Sequence, residues 1–160
     1  MDIRVFSRAD LLTYLLQHDI KEPFLILSIV TPLDRKPFFK NPHAIIVTEF
    51  FYDEENVMGM SEEQAKHFAD AVKYNKDKVE HIFVHCDAGI SRSAGVAAAT
   101  MKYLNGNDWP IWNSYMYSPN TRCYRIMMNE YFGAFDADEA YDKYVKNMEI
   151  YKEKFKYDFE

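Results

Sequence analysis

Cysteine, glycine and proline are scarce in this chain of 160 residues, which contains two cysteines, five glycines and six prolines. Two cysteines are too few for the disulfide framework of a small secreted domain, and they lack the paired spacing of a zinc site. So little glycine and proline argues against a low-complexity chain. The sequence therefore predicts a protein of the reducing cytoplasm, without a metal or another cofactor.

Long hydrophobic runs and an excess of basic charge are missing as well. The longest apolar run, Phe24 to Val30, is too short to span a bilayer. The net charge is −6, whereas duplex binding depends on clustered lysine and arginine. We therefore expect neither a membrane nor a nucleic acid as a partner. Since 48% of the residues are hydrophobic, we expect one globular domain over residues 1–160.

Strand and helix patterns alternate along the first two thirds of the chain. Short apolar runs predict buried strands at Phe24 to Val30, Ala44 to Phe50 and His81 to His85. Capping patterns begin helices at Ser7 and Ser61, and further helices are predicted from about residue 92 to Gly106, near 111–116 and over 120–132. This order predicts a three-layer α/β domain with a central, mostly parallel sheet of four or five strands flanked by helices.

The last segment, residues 136–160, is predicted to be a helical extension. Its apolar side chains recur at roughly helical intervals, which predicts that they pack on the rest of the domain. These residues are Tyr141, Val145, Met148, Phe155 and Phe159.

The segment VHCDAGISRSAG places a cysteine between a strand and a helix. Unpaired backbone N–H groups and the helix dipole converge at such a turn, so it should stabilise both the Cys86 thiolate and a bound phosphate. Gly89 lets the loop curl, and Arg92 can present a two-pronged fork to phosphate oxygens. Ser93 is expected to stabilise the sulfur as a leaving group, and His85 to support the loop from behind.

This stretch, HCDAGISRS, resembles the signature of the protein tyrosine and dual-specificity phosphatases, and the chain from about residue 24 to 132 is similar to their compact dual-specificity branch. The resemblance implies the fold of that superfamily, Cys86 as nucleophile and hydrolysis of phosphorylated proteins. The implied phosphate-binding loop consists of Cys86, Asp87, Ala88, Gly89, Ile90, Ser91 and Arg92.

The resemblance also implies a general acid and a supporting amide. In the compact branch the acid follows a strand upstream of the cysteine, which matches Asp53 in the run FYDEE, with Glu54 and Glu55 as neighbouring alternatives. The segment YSPNTRCYRIM resembles the proline-asparagine motif beside the phosphate loop, which points to Asn120 as a support. Asn120 is equally well explained as an ordinary helix cap.

Several alternatives remain at this point. The chain is a phosphatase, a phosphate-binding module of the same fold without turnover, or a sulfurtransferase of the rhodanese type. Cys123 is either an inert buried thiol or a disulfide partner of Cys86. An acidic residue and no lysine within the loop favour phosphotyrosine or phosphoserine/threonine side chains over polyanionic lipids. The patterns do not distinguish between these side chains and do not give the oligomeric state.

Overall fold

The computed structural model describes residues 1–158, so Phe159 lies outside the described part of the chain. Its centre is one sheet of four parallel strands in the order β1-β4-β2-β3. The strands are β1 (Asp2–Ser7), β2 (Phe24–Val30), β3 (Ala44–Phe50) and β4 (His81–Cys86). The helices are α1 (Arg8–Gln17), α2 (Glu62–Asn75), α3 (Arg92–Asn105), α4 (Trp109–Trp112), α5 (Thr121–Phe132) and α6 (Ala137–Asp158).

Helices cover both faces of the sheet, which confirms the predicted three-layer α/β fold. The larger core lies between the sheet and α2, α3 and α5, where alternate β2 residues Leu25, Leu27 and Ile29 are fully buried. The smaller core lies on the opposite face, where Leu11 of α1 packs with Phe24 and other aromatic residues. Because β2 is buried on both faces, it has the continuous apolar sequence that is typical of a central parallel strand.

Strand β1 was not predicted from the sequence. It pairs in parallel with β4, in a register that places Ser7 opposite Cys86. Its six residues carry the charges of Asp2 and Arg4, so the local pattern resembles a surface segment rather than a strand. The strand forms because β4 offers it an open hydrogen-bonding edge, and β4 lies far away along the chain.

The packing face of α6 differs from the one that its apolar pattern predicted. Tyr141 is 65% exposed and Phe155 is 42% exposed, so the prediction that they pack on the domain is wrong. The buried face instead carries Lys143, which forms a 2.9 Å ion pair with Asp108. It also carries Asn147, which donates to the backbone carbonyls of Trp112, the last residue of α4, and of Tyr117 after it.

This polar docking has a physical reason. The segments on either side of α4 turn a buried carboxylate and several carbonyl oxygens toward α6, and buried acceptors of this kind need donors. Lysine and asparagine supply them, so Tyr141, Val145 and Phe155 face outward, while Met148 is partly buried. No helix in the described part of the chain has both the length and the apolar character needed to cross a bilayer.

Candidate active site

The carboxyl ends of the parallel strands meet at one edge of the sheet, and the residues of the HCDAGISRS segment lie there. Cys86 ends β4, Thr31 follows β2, and Phe51 follows β3. In sheets of this kind the ligand site lies at the carboxyl ends of the strands. The topology therefore brings segments from across the sequence to the loop that follows Cys86.

Several backbone carbonyl groups of the loop from Cys86 to Arg92 accept hydrogen bonds from segments that surround the loop. The carbonyl of Asp87 accepts from the backbone N–H of Arg8, and those of Ile90 and Ser91 accept from the N–H groups of Ser118 and Asn120. Within residues 1–158, the amides of residues 88–91 donate to no protein group. These N–H groups thus lack a protein acceptor, which is the condition that a loop needs in order to bind an anion.

Gly89 makes this curl possible. Its φ of +69° lies in the left-handed region, and a Cβ atom there would meet the backbone nitrogen of Ser7 at 2.5 Å. The loop therefore lies directly on the end of β1, the strand that the sequence pattern did not predict. Any side chain at Gly89 would push the loop away from this support.

The sulfur of Cys86 lies at the floor of the loop, at the N-terminal end of α3. Only 2% of Cys86 is exposed, while Asp87 and Ala88 above it are exposed. The Ser93 hydroxyl, on the first turn of α3, lies 3.0 Å from the sulfur. The structure thus places Ser93 where it can donate a hydrogen bond to a thiolate.

Arg92 is 6% exposed and its guanidinium is fixed on one side by three bonds. Nη1 donates to the Phe51 carbonyl at 2.8 Å and to Thr31 Oγ1 at 3.1 Å, and Nη2 donates to Asp87 Oδ2 at 3.1 Å. These contacts fix the orientation of the side chain next to the loop.

His85 is fully buried behind the loop. Its Nε2 lies 2.6 Å from the Ser28 hydroxyl and its Nδ1 lies 3.2 Å from the carbonyl of Cys86. Burial lowers the pKa of His85 from 6.5 to about 4, so its imidazole is neutral at physiological pH. A neutral ring bonded on both sides fits support of the loop rather than proton transfer.

Asp53 lies against the loop, as a general acid must. Its Oδ1 accepts a 2.7 Å bond from the Ser91 hydroxyl and a 2.9 Å bond from Asn120 Nδ2. The Asn120 side chain also caps α5, since its Oδ1 accepts from the backbone N–H of Cys123. Asn120 therefore makes both the helix-cap contact and the contact beside the loop that the two interpretations of the sequence predict.

The neighbouring acids have other surroundings. The Glu55 carboxylate accepts from the backbone N–H groups of Thr121 and Arg122 and from the Thr121 hydroxyl, so it binds the first turn of α5. Glu54 is exposed and contributes its backbone carbonyl, which accepts from Asn120. Of the three acids, Asp53 is the one whose carboxylate bonds to the loop.

Cys123 is a buried thiol on α5. Both cysteines are free, Cys123 is fully buried, and burial raises the pKa of its thiol. It packs against Gly95, where an added Cβ would meet the Asn120 carbonyl oxygen at 2.5 Å. The absence of a side chain at Gly95 is what lets Asn120 approach the loop.

Three residues of this site were not singled out from the sequence, namely Thr31, Ser28 and Gly95. Thr31 had a usable signal, because it is the first residue after a buried strand, at the edge of the sheet where ligands bind. Ser28 is a polar residue inside an apolar strand, which indicates a buried partner.

Within residues 1–158 there is no group of three His, Cys, Asp or Glu side chains that could hold a metal ion.

Known proteins were compared with this chain by sequence and by structure, and the structural comparison identifies its fold. No protein-family profile and no curated protein matches the chain. The human tyrosine phosphatase-like serine/threonine/tyrosine-interacting protein superposes with a TM-score of 0.60 at 16% identity, over 79% of this chain and 89% of its own. Human DUSP28 gives a TM-score of 0.50 at 13% identity, over 95% and 94% of the two chains.

A mouse dual specificity phosphatase complexed with zinc tungstate gives a TM-score of 0.50 at 12% identity, over 94% of this chain and 82% of that one. Identities this low speak for the fold and not for a shared substrate. The parallel sheet, the helices on both faces and the position of the loop at its carboxyl edge agree with this likeness. The chain therefore has the fold of the cysteine-dependent protein tyrosine phosphatases, in the compact form of the dual-specificity branch.

Proposed function

We propose that the protein is a phosphatase that removes phosphate from protein side chains through a cysteinyl-phosphate. The observation that carries this proposal is the arrangement around one loop, whose amides at residues 88–91 have no acceptor within residues 1–158. The sulfur of Cys86 and the fixed guanidinium of Arg92 flank these amides, and the Asp53 carboxylate bonds to the Ser91 hydroxyl. Each group has a distinct task in phosphoryl transfer, and together they need no further component.

In the first step the Cys86 thiolate attacks phosphorus and an S–P bond forms as the ester P–O bond breaks. The loop amides and Arg92 stabilise the negative charge on the equatorial oxygens. Asp53 gives its proton to the leaving oxygen. Because Oδ1 of Asp53 already accepts two hydrogen bonds, we assign that proton to Oδ2.

In the second step water attacks the phosphorus of the cysteinyl-phosphate. Asp53, now ionised, takes a proton from that water, and the S–P bond breaks to release phosphate. The sulfur leaves as a thiolate and the Ser93 hydroxyl donates a hydrogen bond to it. Cys86 must stay reduced throughout, which supports the cytoplasm as the place where the protein works.

The substrate class follows from the charge of the loop. Asp87 is the acidic residue next to Cys86, and residues 86–92 contain no lysine that would hold a second phosphate. A single dianionic phosphate on a tyrosine, serine or threonine side chain suits this loop better than a polyphosphorylated lipid.

A panel of substrates tests the proposal. Phosphotyrosine, phosphoserine and phosphothreonine peptides are compared with inositol phosphates by phosphate release, with and without EDTA. We expect peptide hydrolysis that EDTA leaves unchanged. Phosphate binding without release from any substrate would indicate a binding module, and sulfur transfer from thiosulfate would indicate a sulfurtransferase.

The Asp53→Asn variant examines the general acid. We expect a larger loss of rate on phosphoserine peptides than on phosphotyrosine peptides, because the phenolate of tyrosine leaves more easily without a proton. The loss on the alkyl ester should be about a hundredfold or more. The pH-rate profile of the variant should lack its alkaline limb, which reports deprotonation of the acid.

Glu54→Gln is the matched control for this experiment. It changes the adjacent carboxylate, which does not bond to the loop, and its profile should equal that of the wild type. A wild-type pH-rate profile for Asp53→Asn, together with a large loss of rate in Glu54→Gln, would contradict the assignment of the general acid to Asp53.

A further inference from the structure

The guanidinium of Arg92 has five N–H donors, and the structure shows how they are divided. Three of them bond to Phe51, Thr31 and Asp87. Among residues 1–158, no group accepts from Nε or from the second hydrogen of Nη2. These two donors are the ones left for a ligand.

Thr31 and Asp87 close a ring of hydrogen bonds on one edge of this guanidinium. Arg92 Nη1 donates to Thr31 Oγ1, this hydroxyl donates to Asp87 Oδ2 at 2.5 Å, and the same oxygen accepts from Arg92 Nη2. Since the two acceptor oxygens touch each other, both lie on the edge that Nη1 and Nη2 share. The adjacent edge, formed by Nε and the second hydrogen of Nη2, has no acceptor within residues 1–158.

We propose that Thr31 and Asp87 are positioning residues that hold Arg92 so that its Nε and Nη2 edge faces the two phosphate oxygens. This inference rests on the proposed function. An arginine free to rotate has two edges that can bind an oxyanion, and a misdirected guanidinium loses both phosphate affinity and rate. The ring of hydrogen bonds among Arg92, Thr31 and Asp87, called the clamp below, occupies one edge of the guanidinium and orients the other edge toward the phosphate.

The surroundings of Asp87 keep the ring in place. Its backbone carbonyl accepts from the N–H of Arg8 at the start of α1, so the residue is fixed to the end of β1. Burial by itself raises the pKa of Asp87, but the hydrogen bonds from Thr31 and Arg92 outweigh it and the net pKa is lowered. The carboxylate is thus ionised and accepting under the conditions in which a phosphatase works.

The clamp also explains why an acidic residue is tolerated beside a phosphate site. Asp87 Oδ2 is directed at Arg92 and Thr31, and its negative charge is partly neutralised by the guanidinium 3.1 Å away. The cost in phosphate attraction is therefore smaller than for a free carboxylate at the same place.

Two matched pairs of variants test the clamp. Thr31→Val removes the hydroxyl at nearly constant volume, and Thr31→Ser keeps it. Asp87→Ala removes the acceptor, and Asp87→Asn keeps an acceptor oxygen without the charge. We expect kcat/KM on an aryl phosphate to fall about ten- to a hundredfold for Thr31→Val and Asp87→Ala, and to be largely restored by the conservative partners.

The double variant Thr31→Val, Asp87→Ala should have a kcat/KM only slightly below that of the less active single variant, because either single change already opens the same ring. Asp77→Asn is the control for loss of a negative charge, since its side chain is 87% exposed at the end of α2 and should leave kcat/KM unchanged. Thermal melts exclude a general loss of fold. Rates for Thr31→Val and Asp87→Ala at or above the wild-type value would overturn the clamp.

A binding measurement separates this proposal from the proposed function. Affinity for inorganic phosphate is measured by calorimetry in a Cys86→Ser background, where no turnover is needed. Weaker binding on Thr31→Val, restored by Thr31→Ser, supports the clamp even if the wild type hydrolyses none of the panel substrates. Unchanged phosphate affinity and rate in an active enzyme would refute the clamp and leave the phosphatase assignment standing.

Discussion

Replacing Cys86 with serine should abolish phosphate release while leaving phosphate binding largely intact. The sulfur is the group that forms the covalent bond, and the hydroxyl of serine is a far weaker nucleophile at neutral pH. Removing a nucleophile of this kind typically lowers kcat by about four orders of magnitude or more. The amides of residues 88–91 and Arg92 remain, so the cradle for the anion persists.

Single-turnover assays and phosphate calorimetry measure the two effects separately. Wild-type enzyme quenched in acid during turnover should carry one phosphate on Cys86, and the variant should carry none. Cys123→Ala is the matched control, because this thiol is fully buried on α5 and we expect it to take no part in the reaction. Normal turnover by Cys86→Ser would rule out the cysteinyl-phosphate mechanism.

Replacing Arg92 with lysine should lower kcat/KM by about a hundredfold or more, the scale seen when one preorganised donor is lost. A lysine ammonium has three donors on one nitrogen, whereas Arg92 bonds to three protein groups and has two further donors without an acceptor in residues 1–158. Lysine cannot bond to Phe51, Thr31 and Asp87 and present a two-pronged fork at the same time.

Arg4→Lys is the matched control for this substitution. Arg4 lies in β1, toward its amino end and away from the site, and its side chain is 48% exposed. The control should keep the wild-type rate and melting temperature. A near-normal rate for Arg92→Lys, measured alongside it, would show that the guanidinium does not bind the transferring phosphoryl group.

The sequence predicts the inner strands and the reactive loop because their signals are local. β2 begins and ends at the residues that its apolar run indicated, since a strand in the interior of a parallel sheet must be apolar along its whole length. β3 also has the predicted bounds, but it lies at the edge of the sheet and is only partly buried, whereas the sequence predicted a buried strand. The loop from Cys86 to Ser93 is likewise one continuous segment, so the spacing of its residues fixes which side chains share the candidate anion site.

What the sequence does not reveal depends on contacts between distant segments. Arg92 bonds to Thr31 and Phe51, which precede it by 61 and 41 positions, and no local pattern reports such a pairing. β1 forms only because β4 accepts it, and α6 turns lysine and asparagine inward because the segments around α4 need donors. In each case the conformation of a segment depends on the distant part of the chain that it contacts, and not on its own sequence alone.

The buried imidazole of His85 links folding to proton uptake. Its pKa is about 4 in the folded chain against 6.5 when unperturbed, so between these values the unfolded state binds a proton that the folded state does not. Stability therefore rises with pH in this interval and is lost as the pH falls from about 6.5 toward about 4, by roughly 3 kcal/mol at most. Acidification across this interval therefore weakens the fold around the loop. We therefore expect the histidine behind the loop to help set the lowest pH at which the protein stays folded.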